Sequence, residues 1–447
     1  MLTPPPRVPH APLIAWIHTG ATGSLAWLER AWATTTSGPV IRATDAIPSA
    51  AVRTPTLIEA TSDQPDRLAW CARNADHLLV VLDARQSADR RPWEATLRAH
   101  GPGTRHLVLL QPEGIRIASK TLPWLEARPG WTHHHVRRGV VEDAHRAMRR
   151  VLGRAIGWVL SAASSRGVAH LGVVSALEEA RVPADRTVGS SSGSLMALMV
   201  SMGMRAEERI RVTTNISFRG RPSKRQLHPP IFAITSGRQL GQVLRAELGD
   251  VQLEDLLRPC TMLATDVYRG EMVTLQRGPA WLAMRAAVSL PLYWPPIPWG
   301  DHLLVDSGCL ELLPIAHLGP ECRDGWKIVS DLRMQHDVLR QTWPSYRDEI
   351  SGWRWWRRRR RSRATSPGPS VKELLLRCLT LPTRPHRAVV DAAMQGPKVA
   401  HLVLEVENHP FFGVKTEEHH RHLHDQAYRW TRQALPRWPE LPRTADG

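Results

Sequence analysis

The chain lacks the features that place a protein within a membrane, in an oxidising compartment or around a structural metal. Its 447 residues contain no apolar run near the roughly 20 residues that span a bilayer. Residues 1–6 lack the basic and then apolar plan of a signal peptide. The five cysteines are odd in number, scattered and without metal-ligand spacing: Cys71, Cys260, Cys309, Cys322 and Cys378. We therefore expect reduced thiols, no metal and a cytoplasmic location.

Lysine, phenylalanine and tyrosine are also scarce. Only 6 of the 59 basic residues are lysine, so arginine carries the net charge of +17, and 18 tryptophans stand beside 4 phenylalanines and 4 tyrosines. Such a charge indicates an anionic partner wherever it clusters, and tryptophan favours membrane interfaces and apolar pockets. A hydrophobic content of 42% predicts a globular chain with two or three domains.

Residues 1–150 have the pattern of an α/β domain. Apolar runs at 13–17, 77–82 and 106–110 predict buried strands, and helical segments between them predict a parallel sheet. The glycine-bearing turn at 18–24 is similar to a phosphate-binding loop but lacks the Gly-Lys-Ser/Thr ending. A scaffold role is therefore preferred over nucleotide binding.

Three consecutive histidines, His133, His134 and His135, raise the question of a metal site. Neighbouring residues of a strand point to opposite faces, so the three rings cannot all converge on one ion. We expect no metal there.

The most informative stretch is Gly189-Ser190-Ser191-Ser192-Gly193, which lies between a short apolar strand and an apolar helix over 195–200. A strand, a sharp Gly-x-Ser-x-Gly turn and a helix form a nucleophile elbow, in which the middle serine is exposed for attack. On this interpretation Ser191 is the nucleophile. A glycine- and serine-rich sequence is also typical of a flexible loop, and that alternative stays open for the motif alone.

Segments before and after the elbow complete an α/β core. A strand at 158–160 enters the small-residue loop 161–167, and a helix follows over 168–180. Strands are predicted at 261–265 and 303–305, with a small-residue helix over 284–291 between them. The second of these strands ends in Asp306-Ser307-Gly308. Open sheets place site residues just beyond the end of a strand, which is where this carboxylate lies.

Together these segments resemble the patatin-like phospholipases in order and spacing, over about residues 10–440. The resemblance rests on Arg166-Gly167, the Ser191 elbow, the segment 285–296 and Asp306-Ser307-Gly308. Bacterial proteins like neuropathy target esterase are the most similar in layout, with a His-His-His-Val-Arg-like strand as at 133–137.

The resemblance implies a three-layer α/β/α core, a smaller preceding α/β domain of Rossmann type with a degenerate P-loop, and a helical C-terminal extension. The expected units are an α/β domain over 1–150, the patatin-like domain over 151–345, a basic arm and linker over 346–370, and a helical region over 371–447.

The resemblance further implies a Ser–Asp dyad that needs no cofactor. Ser191 would attack an ester carbonyl of a phospholipid or lysophospholipid, with Asp306 as the general base. The oxyanion hole would come from the loop Ala162-Ala163-Ser164-Ser165, with Arg166 bracing it before Gly167. The family has glycine at 162–164, and a non-glycine residue in the left-handed region costs roughly 1–2 kcal/mol.

These departures leave a second interpretation open. In that interpretation the chain has the same fold but little or no catalytic activity, and it acts as a lipid-binding or regulatory protein. Where this chain has Asp306-Ser307-Gly308, the family usually has Asp-Gly-Gly or Asp-Gly-Ala, and Ser307 is therefore a milder change. A Ser–His–Asp hydrolase using His317 is a further, less favoured alternative.

The sharpest cluster of charge is the basic arm, residues 353–363. Its tryptophans and arginines suit an anionic membrane surface, at about 1 kcal/mol for each basic residue; they include Trp353, Trp355, Trp356, Arg357 and Arg358. We expect a peripheral protein on the inner face of the membrane, without nucleic acid; its protein partners are unknown. A nucleic-acid contact or a merely solvated loop is less favoured.

Beyond the arm the pattern predicts helices over 371–379 and about 416–434. On the second, His420 and His424 stand one turn apart, as in some metal sites. A solvated helix face is the preferred interpretation of this pair.

Overall fold

The structure is a computed structural model, and it describes residues 12–19, 26–36, 38–45, 55–98, 103–220, 233–333, 390–405 and 416–444. The basic arm, the predicted helix over 371–379 and residues 20–24 of the glycine-bearing turn lie outside these ranges.

The first domain contains a six-stranded parallel sheet in the order β2-β3-β1-β4-β5-β6. Its strands are β1 (Leu13–His18), β2 (Val40–Ile41), β3 (Thr56–Thr61), β4 (His77–Asp83), β5 (Thr104–Gln111) and β6 (Thr132–Arg137). The helices are α1 (Ala26–Thr35), α2 (Pro65–Asn74), α3 (Glu94–Arg98), α4 (Leu122–Ala127) and α5 (Val141–Val151). The three strands predicted here are confirmed.

Both faces of this sheet are covered, which is why apolar residues run continuously along strands such as β1 and β4. Ile14 and Trp16 of β1 pack in a cluster with residues of α1 and α5, such as Trp32. Ala15, between them, packs on the opposite side with Leu68 of α2. Within the triple histidine of β6, His133 and His135 both contact the carbonyl oxygen of Glu254, whereas His134 contacts His106. The predicted alternation is therefore confirmed.

The second domain is built on an eight-stranded mixed sheet. Its strands are β7 (Gly157–Leu160), β8 (Arg186–Gly189), β9 (Cys260–Asp266), β10 (Glu271–Leu275), β11 (Ile297–Trp299), β12 (His302–Asp306), β13 (Lys327–Arg333) and β14 (Val399–Glu405). The order is β11-β12-β9-β8-β7-β13-β14, with β10 also paired to β9. The strands β9, β8, β7, β13 and β14 are parallel, and β10, β11 and β12 are antiparallel to their neighbours.

One face of this sheet, which carries Val159, Val188 and Val329, is covered by the 3-10 turns around 315–322 and by the helical residues 390–393. Longer helices pack against the other face and complete the three-layer α/β/α arrangement. They are α6 (Ala169–Glu179), α7 (Ser192–Ser201), α8 (Ala206–Arg219), α9 (Arg238–Leu248), α10 (Ala280–Ala287) and α11 (Glu417–Ala434). Trp158 of β7 packs in the cluster that holds Leu423 of α11, whereas its neighbour Val159 packs with Leu313 in another. The predicted fold class is confirmed. No helix in the described ranges is long and apolar enough to cross a membrane.

The C-terminal region is more closely joined to the core than its sequence suggests. The predicted helix is α11, and it crosses α6 so closely that a Cβ atom on Gly172 would lie 2.0 Å from the carbonyl oxygen of His424. The strand β14 was not predicted; it extends the sheet in parallel with β13. His420 is buried and hydrogen bonds the Thr214 hydroxyl at 3.2 Å, so a solvated face is wrong for this residue.

Candidate active site

The elbow forms at the end of β8. Ser191 follows the strand with φ 49° and ψ −120°, and α7 begins at the next residue. A Cβ atom on Gly189 would lie 2.5 Å from the carbonyl oxygen of Gly193, and one on Gly193 would lie 2.3 Å from that of Leu160. Only glycine fits these two positions. The strained backbone of Ser191 is therefore held by close packing on both sides of the turn.

The end of β12 brings Asp306 to this turn. Ser191 Oγ donates a hydrogen bond to Asp306 Oδ2 at 2.8 Å, and the Gly308 N–H donates to Oδ1 at 2.7 Å. Burial raises the pKa of Asp306 to about 6, although both hydrogen bonds oppose this rise. A carboxylate with a raised pKa is a stronger base toward a hydroxyl.

Three serines around the elbow form a hydrogen-bonded chain. Ser190 Oγ donates to the Glu311 carbonyl at 2.7 Å and lies 2.9 Å from Ser307 Oγ. Because Ser190 has used its one hydroxyl hydrogen, Ser307 donates to Ser190. Ser307 Oγ also accepts the N–H of Ser191 at 2.8 Å. The Ser307 hydroxyl thus restrains the backbone of Ser191. The sequence alone gives no sign of this role, since serine at this position is only a mild departure from the family pattern.

We expect the change Ser307→Gly, which restores the residue type of the family, to lower kcat for ester hydrolysis. Loss of a buried hydrogen-bond partner costs about 1–3 kcal/mol, which is about 5- to 160-fold in rate. Steady-state kinetics check this, with Ser87→Gly, an exposed serine of the first domain, as the control. An unchanged or higher kcat in Ser307→Gly contradicts the role given to this hydroxyl.

The loop after β7 differs from the expected oxyanion hole. The N–H of Ala162 donates to the Leu312 carbonyl at 2.8 Å, and that of Ala163 donates to Ser192 Oγ at 3.0 Å. These two N–H groups are therefore engaged within the protein. We correct the expectation that they form the hole.

A 3-10 turn over Ser164–Val168 follows in this loop. Its first internal bond runs from the Arg166 N–H to the Ala163 carbonyl at 3.2 Å. The N–H groups that precede such a bond have no acceptor within the turn, and that of Ser165 is one of them. Ser164 has φ 55°, the left-handed conformation for which the family uses glycine.

Arg166 and Gly167 fix the position of this turn. The Arg166 side chain is buried, and its Nε donates to the Ala163 carbonyl at 3.3 Å. Burial lowers the pKa of this guanidinium. A Cβ atom on Gly167 would lie 2.6 Å from Ser192 Oγ, so glycine lets the loop approach the start of α7.

An apolar cavity of about 170 Å³ opens beside Ser191 and Asp306. Helices α7 to α10 supply most of its wall, including Leu195, Met196, Ile216, Leu240, Leu244, Met284 and Val288. Thr213, Ser217 and His420 add polar groups. The sequence did not predict His420 as a lining residue, since no sequence motif connects α11 with the elbow. The cavity can take a hydrocarbon chain next to the serine.

The other predicted residues take no part in this arrangement. His317 hydrogen bonds Glu311 at 2.7 Å, and among the described residues no histidine hydrogen bonds Ser191. A Ser–His–Asp site is therefore not what the structure shows. Trp353, Trp355, Trp356, Arg357 and Arg358 lie outside the described residues.

One group of side chains has the composition of a metal site. Asp266, Glu271 and His302 place ligand atoms within 4.8 Å of one another. However, Arg269 Nη1 lies 3.2 Å from Asp266 Oδ2, and His302 Nδ1 lies 2.7 Å from the same oxygen. Arg269 thus already supplies the positive charge that a metal ion would bring, and the group is best described as an ion-pair cluster.

Comparisons with known proteins agree with this geometry. Residues 159–318 match the patatin-like phospholipase family, and residues 58–166 match the neuropathy target esterase family P-loop like domain. Neuropathy target esterase sws of Drosophila melanogaster is 30% identical over 328 residues, which cover 64% of this chain and 22% of that protein. An uncharacterized NTE family protein of Mycobacterium bovis is 30% identical over 265 residues, which cover 59% of this chain and 42% of that protein.

The chain thus spans less than half the length of these curated relatives. The crystal structure of VipD from Legionella pneumophila aligns with 64% of this chain and 67% of that chain. The TM-score of 0.35 and the sequence identity of 12% are too low for any conclusion about this chain. The two family matches overlap at residues 159–166 and stand in the expected order. The chain therefore carries a neuropathy target esterase family P-loop like domain followed by a patatin-like phospholipase domain, which confirms the resemblance drawn from its sequence.

Proposed function

We propose that this protein is a serine esterase that hydrolyses acyl esters of phospholipids or lysophospholipids through Ser191 and Asp306. The observation that carries the proposal is the 2.8 Å hydrogen bond from Ser191 Oγ to Asp306 Oδ2 beside an apolar cavity. A serine on a strained elbow, bonded to a buried carboxylate, has the geometry of an activated nucleophile.

The chemistry would proceed in two steps. Ser191 Oγ attacks the ester carbonyl while its proton passes to Asp306 Oδ2, and the alcohol leaves with that proton. Water, deprotonated by Asp306, then attacks the acyl-serine ester; Ser191 Oγ leaves and takes that proton back from Asp306 as the fatty acid is released. The N–H of Ser165 and the positive end of α7 support the negative oxygen of each tetrahedral intermediate. No cofactor enters these steps.

The lining of the cavity supports a lipid as the substrate. Its wall is mostly leucine, methionine, isoleucine and valine, which favour a hydrocarbon chain over a polar acyl group. The cavity begins at the dyad, so a chain bound there places its ester at Ser191.

A second candidate function is lipid binding without efficient hydrolysis. Two observations favour it: the N–H groups of Ala162 and Ala163 are engaged, and Ser164 occupies a left-handed conformation. Loss of one oxyanion donor costs on the order of 10²–10³ in rate. This alternative keeps the same cavity and the same ligand class.

Product release separates the two functions. The purified chain is incubated with a lysophospholipid and with a short-chain ester, and the released acid is measured beside labelling by a fluorophosphonate probe. The esterase proposal predicts saturable acid release and a labelled protein. Background release with no labelling contradicts the esterase and leaves the lipid-binding function.

We also propose the domain boundaries predicted from the sequence. The first domain ends near residue 150, which agrees with α5 ending at Val151 and β7 beginning at Gly157. The patatin-like domain then runs to about 345, the arm and linker to 370 and the last region to 447. The pairing of β14 with β13 supports treating that last region as part of the same folded body.

Finally, we propose that the basic arm holds the protein on the inner face of an anionic membrane. Neutralising Arg357–Arg361 removes five positive charges, each worth about 1 kcal/mol near such a surface. We expect co-flotation with anionic liposomes to be lost in that variant, while neutral liposomes bind neither protein. Equal flotation of the wild type and the variant with anionic liposomes contradicts the role.

A further inference from the structure

A second cavity lies at the opposite end of the strands from Ser191. It has a volume of about 190 Å³ and its lining includes Arg146, Glu178, Arg181, Asp185 and Arg258. Asp185 directly precedes β8, and Arg258 lies just before β9, which runs parallel to β8. Ser191 instead follows the end of β8. The length of these strands therefore separates the cavity from the candidate active site.

The acidic groups that line this cavity already have partners. Glu142 and Asp185 both accept hydrogen bonds from Arg149, at 2.5 and 2.7 Å. Glu178 accepts from Arg209 at 2.7 Å. Neither Arg149 nor Arg209 lines the cavity. The counter-charges of these carboxylates thus come from outside the lining, and the cavity's own arginines are not needed to neutralise them.

Arg258 differs from these carboxylates because it lacks a partner of opposite charge among the described residues. Among the described residues, no carboxylate oxygen lies within 4.0 Å of its guanidinium, and its Nη1 donates only to the Val200 carbonyl, at a long 3.4 Å. Burial lowers the pKa of Arg258, and the positive charge of Arg146 lowers it further, against smaller opposing effects of Asp143 and Glu178. Arg146 is paired with Asp143 at 2.8 Å, but it shares this carboxylate with Arg137, so Arg258 adds a positive charge that no carboxylate among the described residues pairs with.

We propose that this cavity binds a small oxyanion of the phosphate class, with Arg258 as the principal ligand and Arg146 as the second positive charge. A guanidinium presents its N–H donors in a planar fork that matches two oxygens of a phosphate. Arg146 belongs to α5 of the first domain, and Arg258 belongs to the second domain. A bound anion therefore joins the two domains, whether or not the chain hydrolyses esters.

The test is the response of the full chain to inorganic phosphate. Thermal unfolding is followed during titration with phosphate and, separately, with sodium chloride at equal ionic strength. We expect a saturable rise of Tm with phosphate alone. Isothermal titration should show that Arg258→Gln raises Kd at least about tenfold, because a charge-assisted hydrogen bond is lost. The control Arg245→Gln, an exposed arginine paired with Asp250, should respond as the wild type does.

Two outcomes overturn the proposal: the absence of a saturable response in the wild type, and an equal response in Arg258→Gln. Circular dichroism verifies the fold of that variant; if it does not fold, Arg258→Lys, which keeps the charge but loses the fork, takes its place and should bind more weakly. Competition by vesicles containing phosphatidic acid supports a lipid phosphate as the source. Phosphate binding that such vesicles leave unchanged supports a soluble phosphate.

Discussion

Replacing Ser191 with alanine should abolish ester hydrolysis. In the proposed mechanism this hydroxyl forms the acyl intermediate, so we expect kcat to fall by about 10³-fold or more. The fold should be retained, because within the described residues Ser191 Oγ hydrogen bonds Asp306 alone. Fatty acid release and fluorophosphonate labelling measure the loss.

The matched control for this change is Ser87→Ala. Ser87 is exposed in the first domain, its hydroxyl donates to Asp89 at 2.6 Å, and it does not line the cavity beside Ser191. We expect wild-type rates from this variant. If Ser191→Ala retains wild-type hydrolysis, another nucleophile is responsible and the proposed dyad is wrong.

Asp306→Asn tests the other half of the dyad with little change of shape. The amide oxygen can still accept the N–H of Gly308, but a neutral amide cannot take the proton of Ser191. We expect kcat to fall by about 10²–10⁴-fold, the usual contribution of a general base. Asp250→Asn, at an exposed aspartate, is the control and should be fully active. A fully active Asp306→Asn contradicts the role of Asp306 as the base.

The pH profile gives a second readout of the same residue. The base acts when deprotonated, and burial raises the pKa of Asp306 to about 6 from 3.8. Hydrolysis should therefore be constant above about pH 6 and fall about tenfold for each pH unit below it. An aspartate with an ordinary pKa would keep its activity down to about pH 4. We expect the residual activity of Asp306→Asn to lack this inflection.

The sequence predicted the parts of the fold that are apolar and local. The strands at β1, β4, β5, β7, β9 and β12 are short apolar runs bounded by turn residues, and each was found within a residue or two. The strand β13 was missed because it contains Ser330 and Asp331. Both are buried: Ser330 Oγ bonds His170 Nδ1 at 2.8 Å, and Asp331 bonds His401 at 3.1 Å. A polar side chain with a partner far along the chain gives no apolar pattern.

The same reason limits what the sequence reveals of the site. Ser191 and Asp306 follow from a motif and a resemblance, and the structure places them 2.8 Å apart. The roles of Ser307 and of the N–H groups of Ala162 and Ala163 depend on which acceptor lies nearest in space. Leu312, whose carbonyl engages Ala162, carries no sequence signal for that contact.

The strand order has a consequence for the chain as it is synthesised. Strand β7 lies between β8 and β13, and Trp158 of β7 packs with residues of α11. Translation delivers Gly157–Leu160 long before Lys327–Arg333 and Glu417–Ala434. Until then β7 has an unpaired edge and an uncovered apolar face, a state open to aggregation. The sheet that carries Ser191 therefore reaches its native form only after the ribosome has added Glu417–Ala434.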